Sequence, residues 1–412
     1  MSEVYNFVFF LILAFIVADY VFGTVLDKLN ASWFSKPLPP VLQGIYDNEK
    51  YSRQQKYSYE NYKFGIVSST FSVIVLLVCY GCGLFGWLDS VLRTFIGNEL
   101  LVTLAFFGII IVANELINLP FEYYDNFVIE EKYGFNKSTK LLFFADKLKE
   151  LLVTIVLGGG ILALVAWLYS LAPQWFWLSA WAVVAAFSIF MQMFYSQLIV
   201  PLFNKQTPLA AGGLRTAIED FAAKAGFELK NIYVIDSSKR STKANAYFSG
   251  LGAKKRIVLY DTLIEQMTTE EIVAVLAHEI GHYKKKHTLS HLAVSLASNL
   301  LMFFLLGLCL GSPLLSEAMG AEQPSFHIGI LAFAMLYVPV SIILGIGMNA
   351  FSRKHEYEAD AYAKSFGLAD SLVSGLKKLS SANLSNLQPH PAYVFVHYSH
   401  PTLLQRINAL QK

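Results

Sequence analysis

Charge is what this sequence has least of for its length. Of its 412 residues, 15% are Asp, Glu, Lys or Arg, against about a quarter in a soluble domain. With 55% hydrophobic residues and a mean hydropathy of +0.46, the chain is not an ordinary water-soluble globule. The net charge of +2 gives no basic face for nucleic acid. Cysteine is scarce too: Cys79, Cys82 and Cys309 all fall in apolar runs, which excludes a disulfide framework. Cys79-x-x-Cys82 has the spacing of a redox or metal pair, but its uncharged surroundings read as small buried hydrophobes. No nucleotide-binding glycine loop is present; Gly158-Gly159-Gly160 lies inside an apolar run and suits close helix packing. The first apolar run has neither a basic n-region nor a small-residue cleavage site, so it reads as a retained span and not as a cleavable signal.

Long apolar runs are what the chain has in abundance. Seven are long enough for a bilayer, which takes about 20 residues per helix: 4–27, 64–88, 100–119, 151–172, 174–203, 289–311 and 328–350. Residues 151–204 carry no charge, and Pro173 divides them into a helical hairpin. The fold class that follows is a mostly α, polytopic membrane protein. Lys and Arg set the orientation. Six lie in the loop 28–63, five in 120–150, thirteen in 204–288 and seven after 350, while the opposite side holds only Arg93. An odd number of spans satisfies this asymmetry, with the amino terminus outside and the 204–288 insert and the tail in the cytosol.

The insert carries the chemistry. Residues 210–228 have the pattern of an amphipathic helix. Asn231–Ser237 and Arg256–Tyr260 read as strands of a small hairpin-like sheet. Thr268 and Glu271 form a capping box at the start of a helix predicted over about 269–287 and running on into the sixth span. That helix contains His278-Glu279-Ile280-Gly281-His282. Positions i and i+4 share a face, so the two imidazoles can hold one zinc, while Glu279 reaches a water as general base without being a ligand. Lys284, Lys285 and Lys286 read as a positive-inside stop.

Zinc needs a third protein ligand. His287 lies nine residues after His278, one short of the longer three-histidine pattern; His291, four beyond it, could begin a second site but points into the bundle. An acidic ligand past the seventh span fits better. Glu356 and Asp360 share a helix face, one as ligand and the other as orienter of a ligand histidine, and spacing leaves the choice between them open. Glu358 points elsewhere, towards solvent.

The chain resembles the type I CAAX prenyl endopeptidases. The likeness runs through Val128–Asn136, Pro201–Asn204, Ser238–Gly250, Arg256–Leu263, Glu356–Asp360 and Tyr398–Pro401, in order along most of the chain. It implies His278, His282 and Glu356 as ligands of one Zn2+, Glu279 as catalytic base and Asp360 as orienter. It also implies that Asn245, Ala246, Tyr247 and Phe248 lie on an edge strand that pairs with an extended substrate, and that His400 and Arg406 stabilise the oxyanion. The fold it implies is seven helices enclosing a water-filled chamber, capped by a cytosolic metalloprotease domain of helices and a small β-sheet. The domain division is then 1–203 for spans one to five with their polar loops, 204–288 for the catalytic insert, 289–350 for spans six and seven, and 351–412 for the part with the third ligand.

The activity implied is zinc-dependent hydrolysis that removes the C-terminal tripeptide of prenylated CAAX proteins. The protein would act as a monomer on a peptide or prenylated protein in the lipid bilayer of a bacterial inner membrane or endoplasmic reticulum, without nucleic acid. Two alternatives stand beside it: a general quality-control zinc protease of membrane proteins, and a non-catalytic zinc-binding transporter or chaperone.

Overall fold

The computed structural model describes residues 6–227, 232–249 and 256–412. Residues 4 and 5 of the expected first span, residue 228 of the amphipathic helix, Asn231 of the first strand and Gly250 of the edge block lie outside them. Helix α1 spans Phe7–Ala31, α2 Asn48–Gly81, α3 Leu84–Phe95 and α4 Glu99–Tyr124, with a π-helical turn over Asp125–Glu130. Helices α5 (Lys140–Val153) and α6 (Gly159–Leu171) are joined by a second π turn, and α7 (Phe176–Leu198) and α8 (Val200–Phe203) follow. The insert holds β1 (Gln206–Pro208), α9 (Gly213–Lys224), β2 (Ile232–Ile235), β3 (Ala246–Ser249), β4 (Arg256–Tyr260), α10 (Asp261–Gln266) and α11 (Thr269–Lys284). Then come α12 (His287–Cys309), α13 (Pro313–Ala318), α14 (Phe326–Leu336) and α15 (Val338–Ser365). The chain closes with α16 (Ala369–Ala382), α17 (Pro391–His397) and α18 (Leu403–Gln411).

Six helical stretches among the described residues are long and apolar enough to cross a membrane. The pair α14–α15, bent by 57°, makes the seventh. The bend falls at Tyr337, just before Pro339, whose ring and missing N–H break the helical ladder at that point. The second span ends earlier than its apolar run. Gly83, at φ +67°, turns the chain after α2, and α3 leaves as a separate amphipathic helix.

The spans form a ring. Helix α1 packs on α2, and Phe64 and Phe71 of α2 meet Tyr124 and Phe121 of α4 with centroids 5.1 Å apart. Helix α4 then touches α6, α6 touches α7, α7 touches α12, α12 touches α14, and α14 returns to α1. Each of the six straight spans buries only 6–17% of its most apolar window. Helices packed into a solid bundle would bury far more, so these stand around interior space as well as facing lipid.

The ring is pinned at the end away from the insert. The Gly86 N–H donates to Met319 O at 3.1 Å, and a Cβ on Gly86 would come within 1.9 Å of Gly320 O. Below that contact, Phe9, Ile12, Tyr80, Phe106, Ile328 and Ala332 form an apolar floor. Buried Asp89 accepts from His327 at 2.7 Å and from Arg93 at 2.9 Å.

The sheet is more than a hairpin. Its order is β1-β2-β4-β3, with β2 and β4 parallel and the outer pairs antiparallel. Strand β3 is an edge: β4 occupies one side, and no strand lies on the other among the described residues. The loop leading into β3 rests on the Val128–Asn136 block. Thr242 N donates to Phe135 O at 3.1 Å, Lys137 N donates to Arg240 O at 3.0 Å, and Lys243 pairs with Glu130 at 2.6 Å. Glu130 also accepts from Tyr57. The two sequence blocks thus form one support for the edge strand.

Candidate metal centre

Helix α11 is built to be buried. Its capping box closes as the sequence requires, with Glu271 Oε2 accepting from Thr268 N at 2.8 Å and Thr268 Oγ1 from Glu271 N at 3.4 Å. A cap of this kind contributes about 1 kcal/mol. Glu271 also accepts from Ser374 at 2.7 Å and Lys378 at 2.8 Å. Burial disfavours its charged form, but Lys378, the Thr268 N–H and Ser374 together outweigh that and lower its pKa. Beyond the cap, Ile272, Leu276 and Ile280 pack into the core. Each contributes about 1.5–3 kcal/mol by leaving water.

Gly281 lets α11 approach α15 closely. A Cβ there would lie 3.0 Å from Tyr362 Cβ and 3.1 Å from Ala359 Cα. That approach carries Glu356, buried on α15, to the two histidines. His278 Nε2 and His282 Nε2 stand 3.1 Å apart, and Glu356 lies 3.4 Å from the first and 3.3 Å from the second. The three donor atoms lie within 4.8 Å of one another. Glu356 Oε2 is buried without a hydrogen-bond partner. Two facing imidazole nitrogens beside an orphaned carboxylate oxygen fit a small divalent cation. His287 is not in this set, and Asp360 lies behind it.

The outer groups are ordered. His278 Nδ1 meets Asp360 Oδ1 at 2.9 Å. Arg406 grips Asp360 with Nε at 2.9 Å and Nη2 at 2.6 Å. Arg406 is buried and its Nη1 lies 3.5 Å from Glu356, so its guanidinium sits behind the ligands and does not point at an open site. His400 differs: its side chain is 64% exposed, with Nε2 3.3 Å from Glu356 Oε1. Glu279, half-buried, follows His278 on α11. Burial opposes charge on His278, yet Asp360 and Glu356 outweigh it and push its pKa up to about 9 without a metal.

Two expectations need correction. The paired-histidine helix does not run on into the sixth span: Lys286, at φ +59°, breaks the chain between α11 and α12. Glu358 is not simply solvated. Its Oε2 meets His287 Nε2 at 3.0 Å, and His287 Nδ1 meets His282 Nδ1 at 3.0 Å. No local spacing signals this link, because Glu358 and His287 are 71 residues apart.

Strand β3 packs beside α11. Asn245 is exposed just ahead of it, Ala246 and Tyr247 are half-buried, and Phe248 pairs with Ile257 of β4 through the backbone. Asn245 and Tyr247 line a cleft of about 920 Å³, walled also by Gln192 and Tyr195 of α7, Thr154 and Glu150. An open strand edge, a paired-histidine helix and a cleft at the mouth of a membrane ring together define a membrane-embedded metallopeptidase.

Comparison with known proteins makes this specific. Residues 29–205 match the family described as CAAX prenyl protease N-terminal, five membrane helices, and 208–412 match peptidase family M48. The chain is 39% identical to the CAAX prenyl protease 1 homolog of Oryza sativa subsp. japonica, over 97% of this chain and 96% of that one. It is 36% identical to CAAX prenyl protease 1 of Saccharomyces cerevisiae, over 97% and 94%. With the homolog from Homo sapiens it shares 31%, over 91% and 88%. The crystal structure of S. mikatae Ste24p superposes with a TM-score of 0.92 at 36% identity, covering 98% of this chain and 99% of that one. The chain belongs to peptidase family M48 and is a multi-pass membrane metalloendopeptidase.

Proposed function

We propose that this enzyme removes the C-terminal tripeptide of prenylated CAAX proteins, with one zinc held by His278, His282 and Glu356. The convergence of these three donors beside Glu279 and the open β3 edge carries the reading. Zinc at this site would supply Lewis-acid polarisation of the scissile carbonyl and acidify water towards a pKa of about 7.

The protein groups divide the remaining work. Glu279 takes the water's proton on its carboxylate and returns it to the leaving amine. Asp360, held by Arg406, keeps His278 in the tautomer whose Nε2 lone pair faces the metal. Arg406 is therefore a positioning residue. His400, exposed beside Glu356 and held through Nδ1 by Ser399, is the group whose Nε2 can turn to donate to the developing oxyanion. Residues 245–248 pair with an extended substrate by strand addition. The lipid-bearing end of such a substrate already lies in the bilayer, where the ring and its cleft can receive it. The Lys and Arg distribution supports a catalytic domain on the cytosolic side, and the membrane would be that of the endoplasmic reticulum or a bacterial inner membrane.

The test is cleavage of a farnesylated Cys-aliphatic-aliphatic-X peptide by purified enzyme, beside Glu279→Gln and a chelated sample. Release of the tripeptide by wild type alone is the expected result, with Glu279→Gln down by at least ~10²-fold while still holding metal. Metal-dependent cutting of unprenylated peptides without this release would make the enzyme a general membrane protease. Full activity in Glu279→Gln would sink the mechanism.

A further inference from the structure

A second hollow, of about 550 Å³, opens on the catalytic domain beside the cap of α11 and not at its histidines. Three separate segments wall it: the turn ahead of α2 with Lys50 of α2 itself, Gln266 at the end of α10, and Ser374, Lys377 and Lys378 of α16. Three lysines therefore converge on one cavity, and no carboxylate and no aromatic ring lines it among the described residues. Like charges gathered in this way raise one another's energy, which a bound anion relieves. Lys50 and Lys377 are half-buried, and neither ammonium has a hydrogen bond or ion pair among the described residues. Lys378 spends one N–H on Glu271 at 2.8 Å and keeps two.

The walls are fixed before any ligand arrives. The buried Tyr46 hydroxyl donates to Ser380 O at 2.8 Å and so ties the turn ahead of α2 to α16. Glu271, 4% exposed, holds Ser374 and Lys378 from behind. Gln266 Nε2 donates to Thr242 O at 3.1 Å. These bonds decide which groups are left over. Ser374 has given its proton to Glu271, so its oxygen remains as an acceptor. Gln266 is anchored through its nitrogen, so its Oε1 remains as another. The hollow thus combines cations with neutral hydrogen-bond acceptors.

We propose that this cavity binds a soluble phosphorylated polyol, a small molecule with several phosphates and free hydroxyls, of the inositol phosphate kind. The lysines meet the phosphates through charge-assisted bonds, and the acceptors meet the hydroxyls. With no aromatic ring to stack on, a nucleotide base gains nothing there. The volume is that of a small-molecule site. The same headgroup also occurs on membrane lipid, but the position favours the free molecule. Lys50 lies about 20 Å along α2 from the point near residue 64 where that helix turns apolar. A bound molecule would bridge α2, α10 and α16 and so stabilise the fold by mass action.

The experiment titrates full-length enzyme in detergent, at low ionic strength, with inositol trisphosphate in a calorimeter. Wild type takes up one equivalent, its melting temperature rises, and added salt weakens the binding. Lys50→Gln and Lys377→Gln each weaken it by about tenfold, and the double variant by about a hundredfold. Their melting temperatures without ligand, matched to wild type, show that the fold is intact. Lys364→Gln removes the same charge from α15 and leaves binding as it was. Absence of saturable binding, or wild-type affinity in the double variant, overturns the site. An equal loss in Lys364→Gln overturns it too, since net charge alone would then be at work. Tighter binding of ATP than of inositol trisphosphate overturns the polyol assignment. Binding at least tenfold tighter to phosphatidylinositol bisphosphate in nanodiscs than to the free headgroup overturns the soluble source. None of these readings involves metal or cleavage, so they stand apart from the peptidase assignment.

Discussion

His278 is the most constrained side chain at the centre, and its surroundings make the site sensitive to pH. Burial works against its charge, but Asp360 and Glu356 raise its pKa from an ordinary 6.5 to about 9 in the metal-free protein. Its protonation therefore stabilises the metal-free fold fully below pH 6.5, and that contribution is lost as pH rises through 9. Metal retention runs the other way, because the proton must leave before the lone pair can bind. Between pH 6.5 and 8.5 the apparent metal affinity should rise by about tenfold per unit, with proton release visible by calorimetry in buffers of different ionisation enthalpy. Replacing Asp360 with Asn should weaken metal binding by about 10–100-fold, since the orienting charge goes and Arg406 is left buried without a full partner. Chelator competition measures this directly. At this scale the sequence was largely legible: the i, i+4 histidines and the acidic turn at 356–360 state their chemistry through spacing. The order of Glu356 and Asp360 was not, because two carboxylates on one helix face differ only in which reaches across to α11. Nor was the contact of Glu358 with His287, which exists only because α12 and α15 lie side by side.

Helices α11 and α15 make the centre by approaching over Gly281. A Val at this position would add three carbons where even a Cβ sits 3.0 Å from Tyr362. The helices must then part, at a cost of about 1–3 kcal/mol. Gly281→Val should accordingly lower metal affinity more than it lowers thermal stability, which metal titration and a melting curve on one preparation will separate. The capping box that starts α11 was plain in the sequence, because Thr268 and Glu271 have the required spacing. The end of the helix was not. A run of three lysines is compatible with continued helix, and a left-handed Lys286 carries no local signature such as glycine would give. The parallel pairing of β2 with β4 was hidden for a related reason: alternation marks a strand but says nothing of which neighbour it takes.

The whole molecule is a ring of spans with the metal centre at one end and a glycine contact at the other. Gly86→Ala would force apart α3 and the turn at Gly320, and should lower the melting temperature of the solubilised enzyme with little change in metal affinity. The three cysteines fall at the end of the ring away from the metal and none is bonded, with Cys82 exposed. A membrane-impermeant maleimide should therefore label sealed, right-side-out membranes, and labelling only from the cytosolic side would reverse the orientation inferred from the lysines and arginines. Seven apolar runs made the ring legible as a number of crossings. The closure of α14 back on α1 was not, since an apolar run does not say which neighbouring helix it will pack against. The connection between the halves of the centre has a further consequence for synthesis. His278 and its partner Asp360 are 82 residues apart, and α12 and the bent α14–α15 pair lie between them. A nascent chain that has displayed its paired histidines still lacks the acidic ligand until the last two crossings have entered the bilayer, so the growing polypeptide stays inert as a protease until its own insertion is complete.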